Sequence, residues 1–164
     1  MEIRLAAPLQ KESIVDGKGI RMVIWNQGCL FKCPGCHNPQ THNLKSGTIT
    51  TTQVVCNAIK KFAYKHHGIT LSGGDPFLQP QANKEIADYA HTLGLTVWAY
   101  CGSVFEELIQ NDNSLQLLKS CDVLVDGPFI QELRDITLPF KGSSNQRTID
   151  VQKSLQKGEV VLYE

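Results

Sequence analysis

The sequence predicts an α/β fold, a partial, open β/α barrel with a mostly parallel sheet of about five to six strands. Short apolar segments rich in β-branched residues alternate with amphipathic segments of about 15 residues, which is the pattern of βαβ units. Parallel strands joined by right-handed crossovers curl into such a sheet. The length of 164 residues suits one core, so we expect a single domain over residues 1–164.

The predicted elements follow one another without a repeat or a linker. The first is RMVIWNQ, residues 21–27, an apolar segment that predicts a buried strand leading into a cysteine-rich loop. Further strands are predicted over 69–73, 95–100 and 122–127, and a strand pair around Lys157 and Gly158. Amphipathic helices are predicted over 50–66, 79–92 and 103–119.

Two of these helices carry informative end signals. Hydroxyl groups at 50–52 can cap the start of the first helix, and Gly68 can end it. In the third helix the polar stretch NDNS, residues 111–114, interrupts the apolar pattern.

The composition is that of an ordinary globular protein, with 41% apolar and 20% charged residues. Lysine plus arginine equals aspartate plus glutamate at 16 each, which argues against nucleic-acid binding through net charge. No apolar run has the length of a membrane span, and the N-terminal residues lack the apolar stretch of a secretory signal. We therefore expect a cytoplasmic protein that binds neither nucleic acid nor membrane.

Three of the six cysteines are crowded into one loop. Cys29, Cys33 and Cys36 have the spacing C-x₃-C-x₂-C, and crowded thiols in a reducing compartment favour metal binding over disulfides. The remaining cysteines are scattered in apolar segments, where we expect buried thiols that pack as small hydrophobic groups. These are Cys56, Cys101 and Cys121.

Three thiolates on a short loop can hold three irons of a [4Fe–4S] cluster and leave the fourth iron open to a small molecule. Two alternatives remain. His37 could complete a Cys₃His zinc site, or one of the scattered cysteines could supply a fourth thiolate. Against zinc, His37 directly follows Cys36, and the chain has no second short pair of ligands.

The stretch LSGGDP, residues 71–76, ends the next predicted strand. Gly73 and Gly74 would let a ligand approach the backbone closely, although a plain strand-to-turn connection has the same pattern. Because functional loops of parallel sheets follow the carboxyl ends of strands, this stretch, the cysteine loop and VDGPF at 125–129 are expected at one edge.

These motifs resemble those of a known superfamily. CLFKCPGC is similar to the cysteine loop of radical S-adenosylmethionine (SAM) enzymes, and SGGDP resembles their SAM-contacting glycine motif. The segment from Ile14 to Asn38 looks like the leader of the glycyl-radical-enzyme activases, with Lys18 where those proteins carry a proline.

The resemblance narrows in the second half of the chain. VLVDGPFIQELRD, residues 123–135, and FKGSSNQR, residues 140–147, are similar to the C-terminal region of anaerobic ribonucleoside-triphosphate reductase activating proteins. In all, the resemblance runs from about residue 13 to 150. For the exposed polar GSSNQR stretch it implies contact with SAM or docking of a partner.

The resemblance implies a mechanism. SAM would chelate the open iron, and one electron from the reduced cluster would break its C–S bond to give a 5′-deoxyadenosyl radical. That radical would abstract a hydrogen atom from a backbone glycine of the large catalytic subunit of the reductase. A one-electron donor such as flavodoxin is implied as a further partner, and no side-chain general base is required.

The resemblance also implies the cofactor contacts. The cluster ligands are Cys29, Cys33 and Cys36. The adenine side of SAM would lie along Gly35, Cys36 and His37, and its amino group would meet Ser72, Gly73 and Gly74. Asp75 and Asp126 are weaker candidates.

One departure affects the SAM carboxylate. Pyruvate formate-lyase activases carry a lysine at the position of Pro128, so this chain is left with Arg147 or no partner for that group. Three other functions remain as alternatives: activation of another glycyl radical enzyme of the pyruvate formate-lyase type, radical SAM chemistry on a small molecule such as a deazapurine, and a non-enzymatic Cys₃His zinc protein.

Overall fold

The computed structural model describes residues 1–164, which form one eight-stranded sheet and five α-helices. The strands are β1 (Glu2–Leu5), β2 (Gln10–Ser13), β3 (Arg21–Asn26), β4 (Thr48–Thr51), β5 (Gly68–Gly73), β6 (Thr96–Tyr100), β7 (Val123–Asp126) and β8 (Arg147–Asp150). The helices are α1 (Thr52–Phe62), α2 (Pro80–Thr92), α3 (Phe105–Leu108), α4 (Asp112–Lys119) and α5 (Val151–Lys157). None of them has the length and apolar character needed to span a bilayer.

The strand order is β4-β1-β3-β5-β6-β7-β8, with β2 paired to the remaining part of β3. The four central strands β3, β5, β6 and β7 are parallel, and the flanking strands pair antiparallel. This confirms the predicted open α/β sheet, although the short strands β1, β2 and β4 raise the strand number above the expected five to six. The carboxyl ends of the central strands meet at one edge.

The sheet separates two apolar clusters. Met22 and Ile24 of β3 belong to the main core, which also contains helix residues such as Ile59 and Ile86. Trp98 anchors a smaller cluster, and its members Val123 and Val125 alternate along β7 with residue 124 of the main core. This alternation is what a strand buried on both faces produces.

The helix boundaries follow the capping signals. The Thr51 hydroxyl accepts from the Val54 N–H at 3.3 Å, so the first predicted helix begins as α1 at Thr52. The third predicted helix is divided into α3 and α4, because the Asn111 side chain accepts from the Ser114 N–H at 3.0 Å and starts a new helix.

The predicted strand pair around Lys157 and Gly158 is wrong in its turn, because a helix separates the two segments, which meet in an isolated antiparallel bridge between Ile149 and Leu162. β8 is followed by α5, whose first turn is capped by Asp150 accepting from the Lys153 N–H at 3.0 Å. Gly158 ends this helix in the left-handed conformation, with φ of 72°. The Lys-Gly pair therefore serves as a helix terminus, not as a hairpin turn.

The C-terminal residues return along the outer edge of β8. The Asp150 N–H donates to Val161 O, and the Tyr163 N–H donates to Thr148 O, both at 2.9 Å. The Tyr163 ring meets the Trp98 ring edge-on, with centroids 5.3 Å apart. The tail thus covers the smaller apolar cluster and one edge of the sheet.

Arg21 is a buried cation without a carboxylate partner within ion-pair distance. Its guanidinium donates to the hydroxyls of Thr70 and Thr96 and to three carbonyl groups, at 2.7 to 3.0 Å. Burial lowers the pKa of Arg21 to about 10. Because every N–H has an acceptor, Arg21 fastens the starts of β3, β5 and β6 together.

Candidate functional site

The cysteine loop begins where β3 ends and is closed by its own backbone. The Gly28 N–H donates to the Thr41 carbonyl at 2.7 Å, and the Cys29 N–H donates to the His42 carbonyl at 3.3 Å. These hydrogen bonds join the two ends of the loop. The three crowded cysteines therefore lie on one closed segment at the carboxyl edge of the sheet, as the sequence predicts.

The thiols of this loop are free and partly buried. The Cys36 N–H donates to Cys33 O at 3.1 Å, and Cys36 Sγ accepts from the Asn38 N–H at 3.4 Å. Burial raises the pKa of the Cys29 thiol, and the charge of the nearby Asp75 adds to this effect. Because iron binds the thiolate, we expect the charge of a bound iron to offset this preference for the thiol.

The donors of the cysteine loop suit a multi-iron cluster, since three free thiols lie on it and no second short pair of ligands follows in the sequence. His37, which the zinc alternative requires, has its ring centroid 5.5 Å from that of Phe129. A cubane cluster takes each thiolate on a different iron, whereas zinc needs all of its ligands around one ion.

The other cysteines are buried, as expected for thiols that pack as small hydrophobic groups. Cys56 and Cys121 lie in the main core, and Cys121 Sγ is 3.4 Å from Leu117 O. Cys101 Sγ donates to Asp75 Oδ1 at 3.4 Å. Burial raises the pKa of all three thiols.

Gly73 and Gly74 pack against the start of the cysteine loop. A Cβ atom on Gly73 would lie 2.5 Å from the backbone N and O of Asn26, and one on Gly74 would lie 2.2 Å from Gly28 O. The Gly74 N–H donates to Asn26 O, and the Asp75 N–H donates to Gly28 O, both at 2.8 Å. The two glycines therefore make room for the chain's own backbone at Asn26 and Gly28. This contact joins the glycine motif to the cysteine loop.

Ser72 and Asp75 flank the glycine pair. The Ser72 carbonyl accepts from Asn26 Nδ2 at 3.3 Å. Asp75 is 6% exposed, and its Oδ1 accepts from the Phe77 N–H at 3.0 Å and from the Cys101 thiol. Burial raises the pKa of Asp75. This carboxyl group is close enough to the cysteine loop to influence Cys29 electrostatically.

Asp126 and Arg147 form an ion pair at the end of β7. Arg147 donates to Asp126 Oδ1 at 3.1 Å and to Oδ2 at 2.6 Å, and Oδ2 also accepts from the Phe105 N–H at 2.8 Å. Arg147 also donates to Glu106 Oε1 at 2.6 Å. Hydrogen bonds to these carboxylates raise the pKa of Arg147. Both Asp126 oxygens are engaged, and so is the arginine considered for the SAM carboxylate.

Gly35 and His37 flank Cys36 in the chain, and both contact the connection between β7 and β8. A Cβ atom on Gly35 would lie 3.0 Å from Gln131 Cδ, and the His37 ring lies beside Phe129. Gly35 has a left-handed φ of 75°, which glycine adopts without strain. The predicted adenine-side segment is thus close to a part of the chain that follows it by about 90 residues.

Sequence reasoning missed a buried amide cluster beneath the loop. Asn26 Oδ1 accepts from Asn83 Nδ2 at 2.9 Å and from Gln79 Nε2 at 3.2 Å, and both asparagines are fully buried. The available signal was a polar residue ending an otherwise apolar strand, together with an asparagine on the buried face of α2. This cluster joins the end of β3 to the start of α2.

Comparison with known proteins places the chain in a family. Residues 15–149 match a family model described as a 4Fe-4S single cluster domain. Among solved structures, QueE from Escherichia coli aligns with a TM-score of 0.47 and 15% identity, over 63% of this chain and 53% of QueE.

Several curated relatives share one name, anaerobic ribonucleoside-triphosphate reductase-activating protein. The Escherichia coli K12 protein is 37% identical, with 81% of this chain and 90% of the relative covered. The bacteriophage T4 protein is 35% identical, with coverages of 81% and 85%. The Haemophilus influenzae protein is 31% identical, with coverages of 81% and 89%. The chain belongs to the family of anaerobic ribonucleoside-triphosphate reductase-activating proteins.

Proposed function

We propose that this protein activates an anaerobic ribonucleoside-triphosphate reductase through a [4Fe–4S] cluster held by Cys29, Cys33 and Cys36. The observation that carries the proposal is a closed loop with three thiols and no fourth cysteine, in a chain that matches a 4Fe-4S single cluster domain. Three protein ligands leave one iron open, which is where SAM would bind.

Cys29, Cys33 and Cys36 would hold the cluster, which when bound would supply one electron for the reductive cleavage of SAM and so start hydrogen-atom abstraction from a backbone glycine of the large reductase subunit. The chain's own residues position and shield the reacting groups. Phe31 helps to hold the cysteine loop on the sheet, since a Cβ atom on Gly102 would lie 2.6 Å from its ring. A general base is not required, and the buried Asp75 carboxylate is already bonded to its own chain.

We assign the SAM amino group to the segment Ser72–Gly74 and the adenine side to the segment Gly35–His37. The support is their position, because the Gly74 N–H donates to the last residue of β3, directly before the cysteine loop. Asp75 remains a weaker candidate for a SAM contact. For Asp126 we favour a role in holding Arg147, since both of its oxygens are bonded within the chain.

The large catalytic subunit of the reductase is the proposed protein partner, supported by the name of the relatives. We further propose a one-electron donor such as flavodoxin and a cytoplasmic location, where reducing conditions keep the cysteines out of disulfides and leave three of them available to the cluster. The chain acts as one domain over residues 1–164 in this proposal.

The test is anaerobic reconstitution with iron and sulfide, followed by mixing with SAM, a reductant and the large reductase subunit. We expect brown protein with four irons per chain, and a glycine-centred radical on the reductase in electron paramagnetic resonance (EPR) spectra. Cys33→Ala should lose the chromophore and the radical. Cys56→Ala is the matched control, because this cysteine is buried in the main core, and it should retain both.

Other outcomes identify the alternatives. A colourless protein with one tightly bound zinc, or Mössbauer spectra with four protein ligands on the cluster, would overturn the proposal. A radical formed only on a pyruvate formate-lyase type enzyme would reassign the partner. Modification of a free metabolite without any glycyl radical would reassign the substrate to a small molecule.

A further inference from the structure

The two neighbours of Cys36 in the chain are contacted by one short segment. Gln131 lies against Gly35, where a Cβ atom would be 3.0 Å from Gln131 Cδ and 3.3 Å from Cγ. Phe129 lies against His37, with the ring centroids 5.5 Å apart and the planes tilted by 52°. The residues before and after Cys36 are thus both held by contacts with this segment.

The segment has the geometry for this double contact. Ile130, between the two contacting residues, is extended, with φ of −114° and ψ of 111°. Side chains two positions apart on an extended backbone point to the same side. The Ile130 N–H donates to Ser143 Oγ at 3.2 Å, and Arg134 pairs with Ser143 in an isolated β-bridge. The segment is therefore fixed on its far side by the stretch Gly142–Gln146.

This stretch also supports Phe129 directly. A Cβ atom on Gly142 would lie 3.1 Å from the Phe129 ring, so the ring has Gly142 and His37 as neighbours. Gln146 accepts from the Gly142 N–H at 2.9 Å and donates to Gly127 O at 3.1 Å. We call Gly142–Gln146 the brace.

A second amide of the brace holds the backbone just before the ring. Asn145 Nδ2 donates to the Pro128 carbonyl at 2.8 Å, and the Ser143 hydroxyl donates to Asn145 Oδ1 at 2.6 Å. The side chains of Ser143, Asn145 and Gln146 are thereby committed to holding the β7–β8 connection against the cysteine loop.

We propose that Phe129 and Gln131 are positioning residues that fix the Cys36 thiol relative to those of Cys29 and Cys33, with the brace holding them in place. The inference rests on the proposed function only in taking Cys36 as a cluster ligand. Gly35 has the wide backbone freedom of glycine, so without these contacts the peptide before Cys36 is restrained only by its own hydrogen bond to Cys33 O within the loop. Cys29 is anchored separately, by its hydrogen bond to His42 O.

The first test measures thiol reactivity in the metal-free protein under anaerobic native conditions. Brief alkylation with iodoacetamide, followed by mass spectrometry, gives a separate rate for each cysteine. Phe129→Ala and Gln131→Ala should each raise the rate at Cys36 several-fold and leave Cys29 near the wild-type rate. Phe129→Tyr, which keeps the ring, should restore the Cys36 rate.

Leu133→Ala is the matched control, because Leu133 follows in the same segment and is 42% exposed. It should leave all three loop cysteines unchanged. Wild-type rates at Cys36 in both test variants would overturn the inference, and so would an equal increase at Cys29, Cys33 and Cys36. Gln131 is itself exposed, so Gln131→Ala decides the question even if the Phe129 variant fails to fold.

The second test uses reconstituted protein. Gln131→Ala should release iron to a chelator several-fold faster than wild type and should alter the EPR signal of the reduced cluster when SAM is added. Leu133→Ala should match wild type in both measurements. If the wild-type chain binds no cluster, the proposed function fails, whereas the alkylation rates still decide whether this segment positions Cys36.

Discussion

Gly74 lies so close to Gly28 that a Cβ atom on Gly74 would be 2.2 Å from the Gly28 carbonyl oxygen. That oxygen also accepts the Asp75 N–H at 2.8 Å. The contact joins the end of β5 to the first residues of the cysteine loop. Any side chain at position 74 must move the obstructing backbone, because backbone cannot swing away as a flexible side chain does.

Gly74→Ala is therefore expected to destabilise the protein by about 2–3 kcal/mol, at the upper end of overpacking costs, and to reduce iron binding on reconstitution. Urea unfolding and iron analysis measure the two effects. Gly158→Ala is the control, because nothing lies within 4 Å of its Cβ position. Its only cost is about 1 kcal/mol for an alanine in the left-handed conformation. Equal costs at the two positions would contradict this account.

Arg147→Met leaves the buried Asp126 carboxylate without its cation. Asp126 has 1% and Arg147 has 32% of its side chain exposed, so we expect a loss of about 3 kcal/mol in the free energy of unfolding, at the lower end of the range for breaking buried ion pairs. Glu106→Gln should cost less than about 1 kcal/mol, because the Glu106 side chain is 57% exposed. The prediction fails if the two variants unfold at the same denaturant concentration.

Asp75 should make the metal-free protein less stable as the pH rises. Burial raises its pKa, so the folded chain keeps this proton at pH values where the unfolded chain has released it. The resulting penalty is absent below the ordinary value of 3.8 and is complete above the raised pKa. Asp75→Asn should therefore gain stability over wild type between about pH 4 and pH 7.5 in urea unfolding.

Asp88→Asn provides a control of opposite sign. Burial acts to raise the pKa of Asp88, but hydrogen bonds from Lys84 and Ser120 lower it overall. This carboxylate contributes stability above the ordinary pKa that is lost as the pH falls through the lowered one. Relative to wild type, Asp88→Asn should therefore lose stability as the pH rises toward the ordinary value of 3.8 and change little above it. A gain between about pH 4 and pH 7.5 like that of Asp75→Asn would refute the assignments.

Tyr163→Ala should loosen the tail from the smaller apolar cluster. Loss of the edge-on contact with Trp98 and of the buried ring area is expected to cost about 1–2 kcal/mol. The tryptophan emission spectrum should shift to longer wavelength in the native protein as water reaches Trp98. Leu162→Ala, at a side chain that is 58% exposed, should change neither measurement.

The sequence predicts an element best where the spacing of apolar residues and the residues that bound the element agree. The central strands β3, β5, β6 and β7 were predicted within about two residues of their bounds, because long apolar runs between glycines have few other interpretations. The sequence also predicts the Thr51 cap of α1, because a hydroxyl directly before an amphipathic segment commonly accepts a hydrogen bond from the first turn of a helix.

The rest depends on contacts that are distant in the chain. β1 and β4 are four residues each and pair with one another across more than 40 residues, which leaves little local pattern. In the tail, the sequence predicts a turn at Gly158, because a helix of only seven residues between two extended segments is too short to show a helical period.

In the candidate site, too, the local motifs are predicted from the sequence and the contacts between distant segments are not. Spacing alone brought together Cys29, Cys33 and Cys36, and their place on one loop agrees with that prediction. The packing of Gln131 on Gly35 and of Phe31 on Gly102 could not be predicted, because it joins segments with no shared motif. The sequence predicts that Gly73 and Gly74 make room for a ligand, whereas the structure shows that backbone atoms of Asn26 and Gly28 exclude a Cβ atom at these positions.

The contacts of the cysteine loop also bear on biosynthesis. Residues 28–42 leave the ribosome early, but their supports at Gly102, Phe129 and Gln131 are translated much later, and Gly142 later still. A nascent chain that stops before these residues has the thiols without the surface that orients them. The cysteine loop therefore reaches its oriented form only when the polypeptide is nearly complete.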